Sequence, residues 1–553
     1  AAMRLDTLIH NADIITGDPN RPTASRIGIW QGLIVGLDEQ LDPLLKGPYA
    51  AAPAQVFDVA GACIVAGFND VHAHSVWFGQ TLIEIDLAEA KTPDDVYAAI
   101  ASRINAFEHG DWVICSNFNP LQMTGSIDRD RLDTVALGHP VLIKHRSGHA
   151  YTINGVALDL AGIEDRPTAQ PEGGEIVTDE TGRATGLLDE NAMRAVQDLL
   201  QPEALEPVTD ALAAASQHYL AEGLTSVTDA GIAGGWIGHT PREFAAYQLA
   251  VDRDLLKHRS QTMVTMDALH ELPGHSKDPS ARGLDAGIRS GAGDARLQIG
   301  PVKVFTDGSL LGATAAMTEE YSHCQHNHGY MQGDPETMRA QVIQAAGAGW
   351  ALALHAIGDT AIDFAIETIT EARRIHGSGP IPDRIEHGGV VRDDQIALMA
   401  DQNIVLVPQP YFISVFGEGM FHNLGPNRAT LSYPARRLLD AGMILPGSSD
   451  RPVAHGAPLA VIQAFAQRLT EAGNLYGIDE RITVAEALHA YTVGSARATG
   501  WGHNKGTLAS GYLADLVVLG AHPLHVDVAE VAHIPIVATM VGGVIEYGQL
   551  DAH

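Results

Sequence analysis

The chain has 553 residues, 45% of them apolar, and its 67 acidic against 35 basic side chains give a formal net charge of −32. That length exceeds one ordinary domain and suffices to bury a large core, while the negative charge repels phosphate backbones and anionic lipid surfaces and so excludes nucleic acid and membranes as expected partners. Cys63, Cys115 and Cys324, the three cysteines, are spaced too widely for a CxxC site or a disulfide framework, as expected of a protein in the reducing cytoplasm.

The opening stretch, AAMRLDTLIHNADIITGD, holds Asp6, Asp13 and Asp18 and no sustained apolar run, so neither a signal peptide nor a membrane span is expected there. Residues 7–9, 13–15, 26–29, 33–37 and 55–58 read as short alternating strands punctuated by Asn, Asp and Gly turns. At the far end 514–519 and 536–547 are strand-like again, the second broken at Gly542-Gly543. Two strand-only ends predict one small β-sandwich built from residues 1–62 and 507–553.

Between them, over 63–506, apolar β-branched runs alternate with alanine-rich segments suited to helices, the pattern of parallel strands with helical crossovers. The strand candidates are 62–67, 224–228, 261–266, 299–306, 351–355, 383–386, 404–408 and 443–447. Eight of them close a (β/α)8 TIM barrel, so the expected class is α/β. The gap between the first two candidates far exceeds a normal crossover and predicts a subdomain inserted at 82–206. Residues 272–292 and 323–333 read as long loops.

His72 and His74 follow the first strand candidate in VAGFNDVHAHS. Residues two apart on an extended segment point the same way, so both imidazoles can face one metal ion. An HxH pair alone is weak evidence, since histidine is also an ordinary polar residue near strand ends. However, Lys303 in IGPVKVFTDGS, His355 in ALALHAIGD, His387 in DRIEHGG and Asp450 in LPGSSDRP also fall at strand-candidate ends. Active-site groups of TIM barrels sit at the C-terminal ends of the strands, and six metal-competent residues in barrel order there are hard to attribute to chance.

The order HxH, Lys, His, His, Asp, with GYLADLVVL before the terminal strands, resembles the amidohydrolase superfamily. The phrases VKVFTDGSLLGATAAM, LHAIGDTAID, RIEHGGVV and SGHAYTINGVALDLAGI are similar to its YtcJ-like branch, which includes N-substituted formamide deformylase. Where many relatives have GKLADLVVL, this chain has Tyr512, expected to be a surface change far from the metal. The resemblance implies a divalent metal, zinc above others, with two ions per chain and one as the alternative. It implies that His72, His74 and Asp450 hold one ion, that His355 and His387 hold the other, and that Lys303 bridges them as a carbamate. A plain ammonium suits such a bridge poorly, having three donors and no acceptor; a lysine that positions substrate beside one ion is the other reading.

Metal lowers the pKa of bound water from about 15.7 to near 7, and Asp450 is then the expected general base and metal ligand, passing the water's proton to the leaving nitrogen. His149, in SGHAYTIN, is a second catalytic candidate, placed either to hold substrate or to stabilise the insert. Asp229, Asp307 and Asp359 stand in turn or cap settings, and the loop run from His323 to His328 is expected to bind metal only adventitiously. Trp77 and Phe78, with Tyr411, Phe412, Phe416 and Phe421 in an apparent loop after strand seven, predict a pocket suited to a bulky apolar substituent.

The expected activity is therefore hydrolysis of a C–N bond in a small molecule by a homodimer. Metal-assisted isomerisation or decarboxylation on the same scaffold is the alternative. The intact set of ligand types argues against a binding protein without catalysis.

Overall fold

A computed structural model describes residues 3–551. The chain divides into two compact units, one formed by the chain up to Ser75 and from Ser216 onward, the other by Val76–Ala215.

The larger unit contains two four-stranded parallel sheets. In the first, β1 (Phe68–Ala73) pairs with β2 (Leu224–Ile232), β2 with β3 (Arg259–Val264), and β3 with β4 (Leu297–Ile299). In the second, β5 (Val302–Phe305), β6 (Leu352–Ala356), β7 (Arg384–His387) and β8 (Val405–Val407) pair in sequence order. Strands β1, β2, β3 and β7 are buried along their whole length, which is why they lack a polar–apolar alternation. Helices cover them; in Asp359–His376, Ile362, Ile366 and Ile369 are buried, and Gly377 at φ 74° ends the helix.

Three sequence expectations change here. Residues 62–67 do not begin the parallel sheets: Cys63–Ala66 pairs with Leu516–Leu519 and Asp13–Ile15 in a sheet of terminal strands. The chain changes sheets at Gly67, whose amide donates to Asp515 O, while that of Phe68 donates to Gly223 O. A continuous apolar run reports burial and not which partner covers it. The expected strand 299–306 is two strands in two sheets, because Pro301 has no amide hydrogen for a ladder. The segment 443–451 is extended but only bridged to β1, through Val71 N to Gly447 O at 3.1 Å, Asp450 N to His72 O at 2.7 Å and His74 N to Arg451 O at 2.8 Å.

Two expected loops also differ. Within 272–292 the chain makes a hairpin, His270–Leu272 against Ala281–Gly283. The aromatics after β8 lie on a helix, Tyr411–Ala429, kinked at Gly425, with Phe412, Ile413, Met420 and Leu424 buried on one face. Their spacing is helical; the glycines at 417, 419 and 425 hid it.

The terminal strands form a four-stranded sheet, in order Leu33–Leu37, Ile27–Trp30, Thr7–His10, Gln55–Asp58, and a six-stranded sheet including Val544–Gly548, Ile536–Val541 and Leu516–Leu519. Ile9, Ile29, Ile64, Leu516 and Met540 share one core between them. The unit Val76–Ala215 has its own six-stranded sheet and a core that includes Val96, Ile100, Val113 and Val141. Its helix Pro93–Ala101 starts at a capping box of Thr92 and Asp95. No helix among the described residues is long and apolar enough to cross a membrane.

Candidate metal centre

The end of β1 and the segment 443–451 carry the first cluster. Period two puts Asp70, His72 and His74 on one side of the chain. Asp70 is spent on structure: its carboxylate accepts from Ser449 Oγ at 2.5 Å, Ser449 N at 3.2 Å and His72 N at 3.0 Å, fastening the segment to β1, and burial pushes its pKa up to about 6. His72 Nε2 lies 3.0 Å and His74 Nε2 2.8 Å from the same oxygen, Oδ1 of Asp450. All three side chains are buried, and each offers a ligand atom within 4.8 Å of the others. Burial alone would raise the Asp450 carboxyl, but the imidazoles of His72 and His74 hold it well below the ordinary range.

Behind His72 stands a buried ion pair. His72 Nδ1 is 2.8 Å from Glu386 Oε1, and Arg384 donates to both Glu386 oxygens, at 2.8 and 2.6 Å, and to Val71 O at 2.7 Å. Burial would raise Glu386, yet Arg384 keeps it well below the carboxylate norm. With Nδ1 donating to Glu386, Nε2 of His72 faces Asp450, an arrangement that either a proton or a metal ion between them satisfies. The only sequence signal for Glu386 is a pair of charged residues two apart on a strand with no exposed position.

His387 and His355 complete the row, their rings 4.6 Å apart and that of His387 4.9 Å from His72. Gln409 donates through Nε2 to Val407 O and Ser448 Oγ, so its Oε1, 2.6 Å from His387 Nδ1, must accept. That fixes the His387 proton on Nδ1 and leaves the Nε2 lone pair free. Burial, then His355 and His72, hold His387 well below its ordinary pKa and keep it neutral. His355 Nε2 donates to Gly308 O at 3.0 Å, so its lone pair is on Nδ1, a buried atom with no hydrogen-bond partner among the described residues. Imidazoles whose hydrogen bonds fix the lone pair, in a row that includes a carboxylate, are a zinc-type donor set, and the orphaned Nδ1 of His355 is a cost that a metal ion would remove.

Lys303, on β5, is 1% exposed. Its Nζ sits 5.0 Å from the Phe305 ring centre, and burial brings its pKa down to about 8 despite the carboxylates of Glu386 and Asp450. No ion pair holds it among the described residues. Phe305 packs on His355 at 5.5 Å, and Phe412 stacks on His387 at 6.0 Å.

The remaining candidates have other partners, although Asp307 Oδ1 comes within 3.4 Å of His355 Nε2. His149 belongs to the unit Val76–Ala215, where its side chain is 63% exposed and Nδ1 is 3.1 Å from Glu190. Asp229 is buried and accepts from the Tyr247 hydroxyl at 2.5 Å. Asp307 takes the amides of Ala316, Ile357 and Gly358, and Asp359 takes the Thr318 amide and hydroxyl and Arg392. The last two tie loops together. His326 and His328 face Glu320 from the surface at 3.7 and 3.8 Å. Among the described residues, no other three ligand types gather as closely as His72, His74 and Asp450.

A model of the amidohydrolase family matches residues 55–547. The chain is 29% identical to the N-substituted formamide deformylase of Arthrobacter pascens over 98% of both chains, and 29% identical to YtcJ of Bacillus subtilis (strain 168) over 91% of this chain and 92% of that one. Among solved structures it is similar to an uncharacterized metal-dependent hydrolase of Pyrococcus horikoshii OT3, with a TM-score of 0.76 and 23% identity over 95% of this chain and 99% of that one. With a family model spanning most of its length and buried ligand types converging within it, the chain belongs to the amidohydrolase family.

Proposed function

We propose that this protein is a metal-dependent hydrolase that cleaves the C–N bond of an amide or N-substituted formamide. The observation that carries the reading is the row from His74 through Asp450, His72 and His387, all buried, to the partly buried His355, in which hydrogen bonds fix the free lone pairs of His387 and His355. The full-length likeness to a formamide deformylase supports the substrate class.

The scaffold proposed for it is a (β/α)8 barrel in which β4 and β5 form one interrupted strand and 443–451 closes the ring against β1, supported by the bridges Thr265 to Lys303 and Ala73 to Arg451. The terminal sheets, 1–62 with 507–553, would form a β-sandwich, and 82–206 an insert in the barrel.

In this reading His72, His74 and Asp450 would hold one zinc ion and His355 and His387 a second, and Lys303, as a carbamate, would supply an anionic oxygen ligand. The lowered pKa of Lys303 favours the neutral amine that carbamate formation needs. Zinc, when bound, lowers the pKa of water to about 7 and polarises the scissile carbonyl. Asp450 accepts the proton of the attacking water and passes it to the leaving nitrogen, which cannot depart as an amide anion. Glu386, pinned by Arg384, fixes the tautomer and plane of His72.

The test is to strip the protein with a chelator, restore zinc and assay N-benzylformamide, simple acyl amides and cyclic ureas. Zinc-dependent release of amine is the expected result. Turnover of lactones or phosphoesters alone would refute the assignment.

A further inference from the structure

The end of the parallel strands opposite the proposed metal centre holds a cavity of about 330 Å³. Leu352, the first residue of β6, and Asp383, just before β7, line it. His355 and His387 stand toward the other ends of those strands, so this cavity is separate from the metal centre.

Its polar lining is one-sided. Asp383, the one carboxylate there, is committed: it accepts from the Leu352 amide at 2.9 Å and from Arg373 Nε at 2.7 Å, and Arg373 spends its remaining nitrogens on Gln402 O and Asn403 O. Arg289, His376 and Ser378 also line the cavity, and their side chains have no hydrogen bond or ion pair among the described residues. Trp350 forms a wall, 3% exposed, its Nε1 turned toward Gly283 and likewise without a partner among the described residues. Every uncommitted side chain at the cavity can therefore donate a hydrogen bond, and none is an anion.

Arg289 is seated there by its neighbours. A Cβ on Gly349, which holds φ 91°, would fall 2.3 Å from Arg289 Nη1 and 2.4 Å from Cδ, so the missing side chain lets the guanidinium lie over the backbone. Ser290 fastens the segment, donating to Gly300 O at 2.8 Å and accepting from Ala351 N at 2.9 Å. Acidic residues outnumber basic ones 67 to 35 in this chain, yet Arg289 pairs with none of them. A planar fork with unpaired charge binds carboxylate and phosphate groups bidentately, and a fork already in place binds with less ordering cost. Two features choose between those groups. The volume reaches the range of small-molecule pockets, about 300–1,000 Å³, and so suits an organic molecule better than a bare ion. The helix Asp359–His376 ends at the cavity, and the partial negative charge of its C-terminus opposes a doubly charged phosphate more than a singly charged carboxylate.

We propose that this cavity is a second binding site, one that takes a small organic carboxylate on the guanidinium of Arg289, with His376 and Ser378 as further donors. The site does not depend on the hydrolase reading and stands or falls apart from turnover.

Calorimetric titration of the zinc-loaded protein tests it, with cyclohexanecarboxylate, the neutral cyclohexyl methyl ketone and inorganic phosphate as probes. Wild type is compared with Arg289→Gln and with Arg374→Gln, whose exposed arginine lies on the same helix end, outside the cavity and paired with Glu371. Position 289 is remote from the metal ligands, so the first variant isolates the cavity from carboxylate binding at zinc. Saturable binding of the carboxylate is expected, weakened about 10- to 100-fold in Arg289→Gln and unchanged in Arg374→Gln. Absence of saturable binding in wild type, equal affinity in the two variants, or binding of the ketone or of phosphate as tightly as the carboxylate would overturn the proposal.

Discussion

At Asp450 a single atom separates ligand from base. Asp450→Asn keeps one oxygen for coordination but cannot take a proton from water, so turnover should drop by about 10² to 10⁴ while much of the metal remains. Near wild-type turnover in that variant would remove Asp450 from the proton path. Glu386 acts at one remove. Glu386→Gln takes the negative charge from His72 Nδ1 and leaves Arg384 buried without its carboxylate, which should weaken metal affinity about 10- to 100-fold, measurable by competition with a chromophoric chelator. Unchanged affinity would show that Glu386 serves the fold and not the ligand. The residue types at 72, 74, 355, 387 and 450 were legible because HxH and histidines at strand ends are conspicuous. Glu386 and Gln409 were not: nothing in the sequence says that β7 has no exposed side, and only that fact makes Glu386 a buried partner of an imidazole.

At the scale of elements, the position of Asp450 depends on a segment without a ladder of its own. Residues 443–451 are held by three backbone bonds to β1, by Ser495 Oγ, which accepts from Gly447 N at 3.0 Å, and by close approach of the helical turn Ala490–Gly494. A Cβ on Gly494 would fall 2.0 Å from Leu445 O, whereas one on Gly379 meets nothing within 4 Å. Gly494→Ala should therefore cost about 1–3 kcal/mol or more and lower metal content by displacing the segment, with Gly379→Ala as the silent control. Thermal melts and metal analysis of both variants read the difference; equal behaviour would mean that the segment yields freely. The short terminal strands were legible from their alternation and turn residues. The sheet change at Gly67 and the break at Gly300-Pro301 were not, because apolar runs carry no record of their neighbours. The helix Tyr411–Ala429 was hidden by glycines that a packed helix tolerates at about 1 kcal/mol each.

For the molecule as a whole, acid is the informative stress. Glu222 pairs with Arg451 at the end of the segment 443–451, contacts of 2.5 and 2.8 Å, both side chains largely buried. Burial would raise Glu222, but the bond to Arg451 outweighs it and brings the pKa from 4.5 down to about 2. A carboxylate depressed on folding adds stability that is complete above its unfolded pKa and is lost as pH falls through the folded one, so the window lies between pH 4.5 and about 2. Urea melts across that range should show stability falling with pH, with a smaller slope in Glu222→Gln, in which Arg451 faces no carboxylate at position 222 at any pH and stability is lower at neutrality. An identical slope in the variant would place the acid sensitivity elsewhere among the 67 acidic residues.

The most direct test of the central claim is anomalous diffraction from crystals of the zinc-loaded protein, collected on both sides of the zinc edge. The account predicts one peak ligated by His72, His74 and Asp450, a second by His355 and His387, and density for a carboxylated Lys303 between them. A lone peak beside an unmodified Lys303 would end the two-ion arrangement, and no peak at His72, His74 and Asp450 would contradict the metal centre itself.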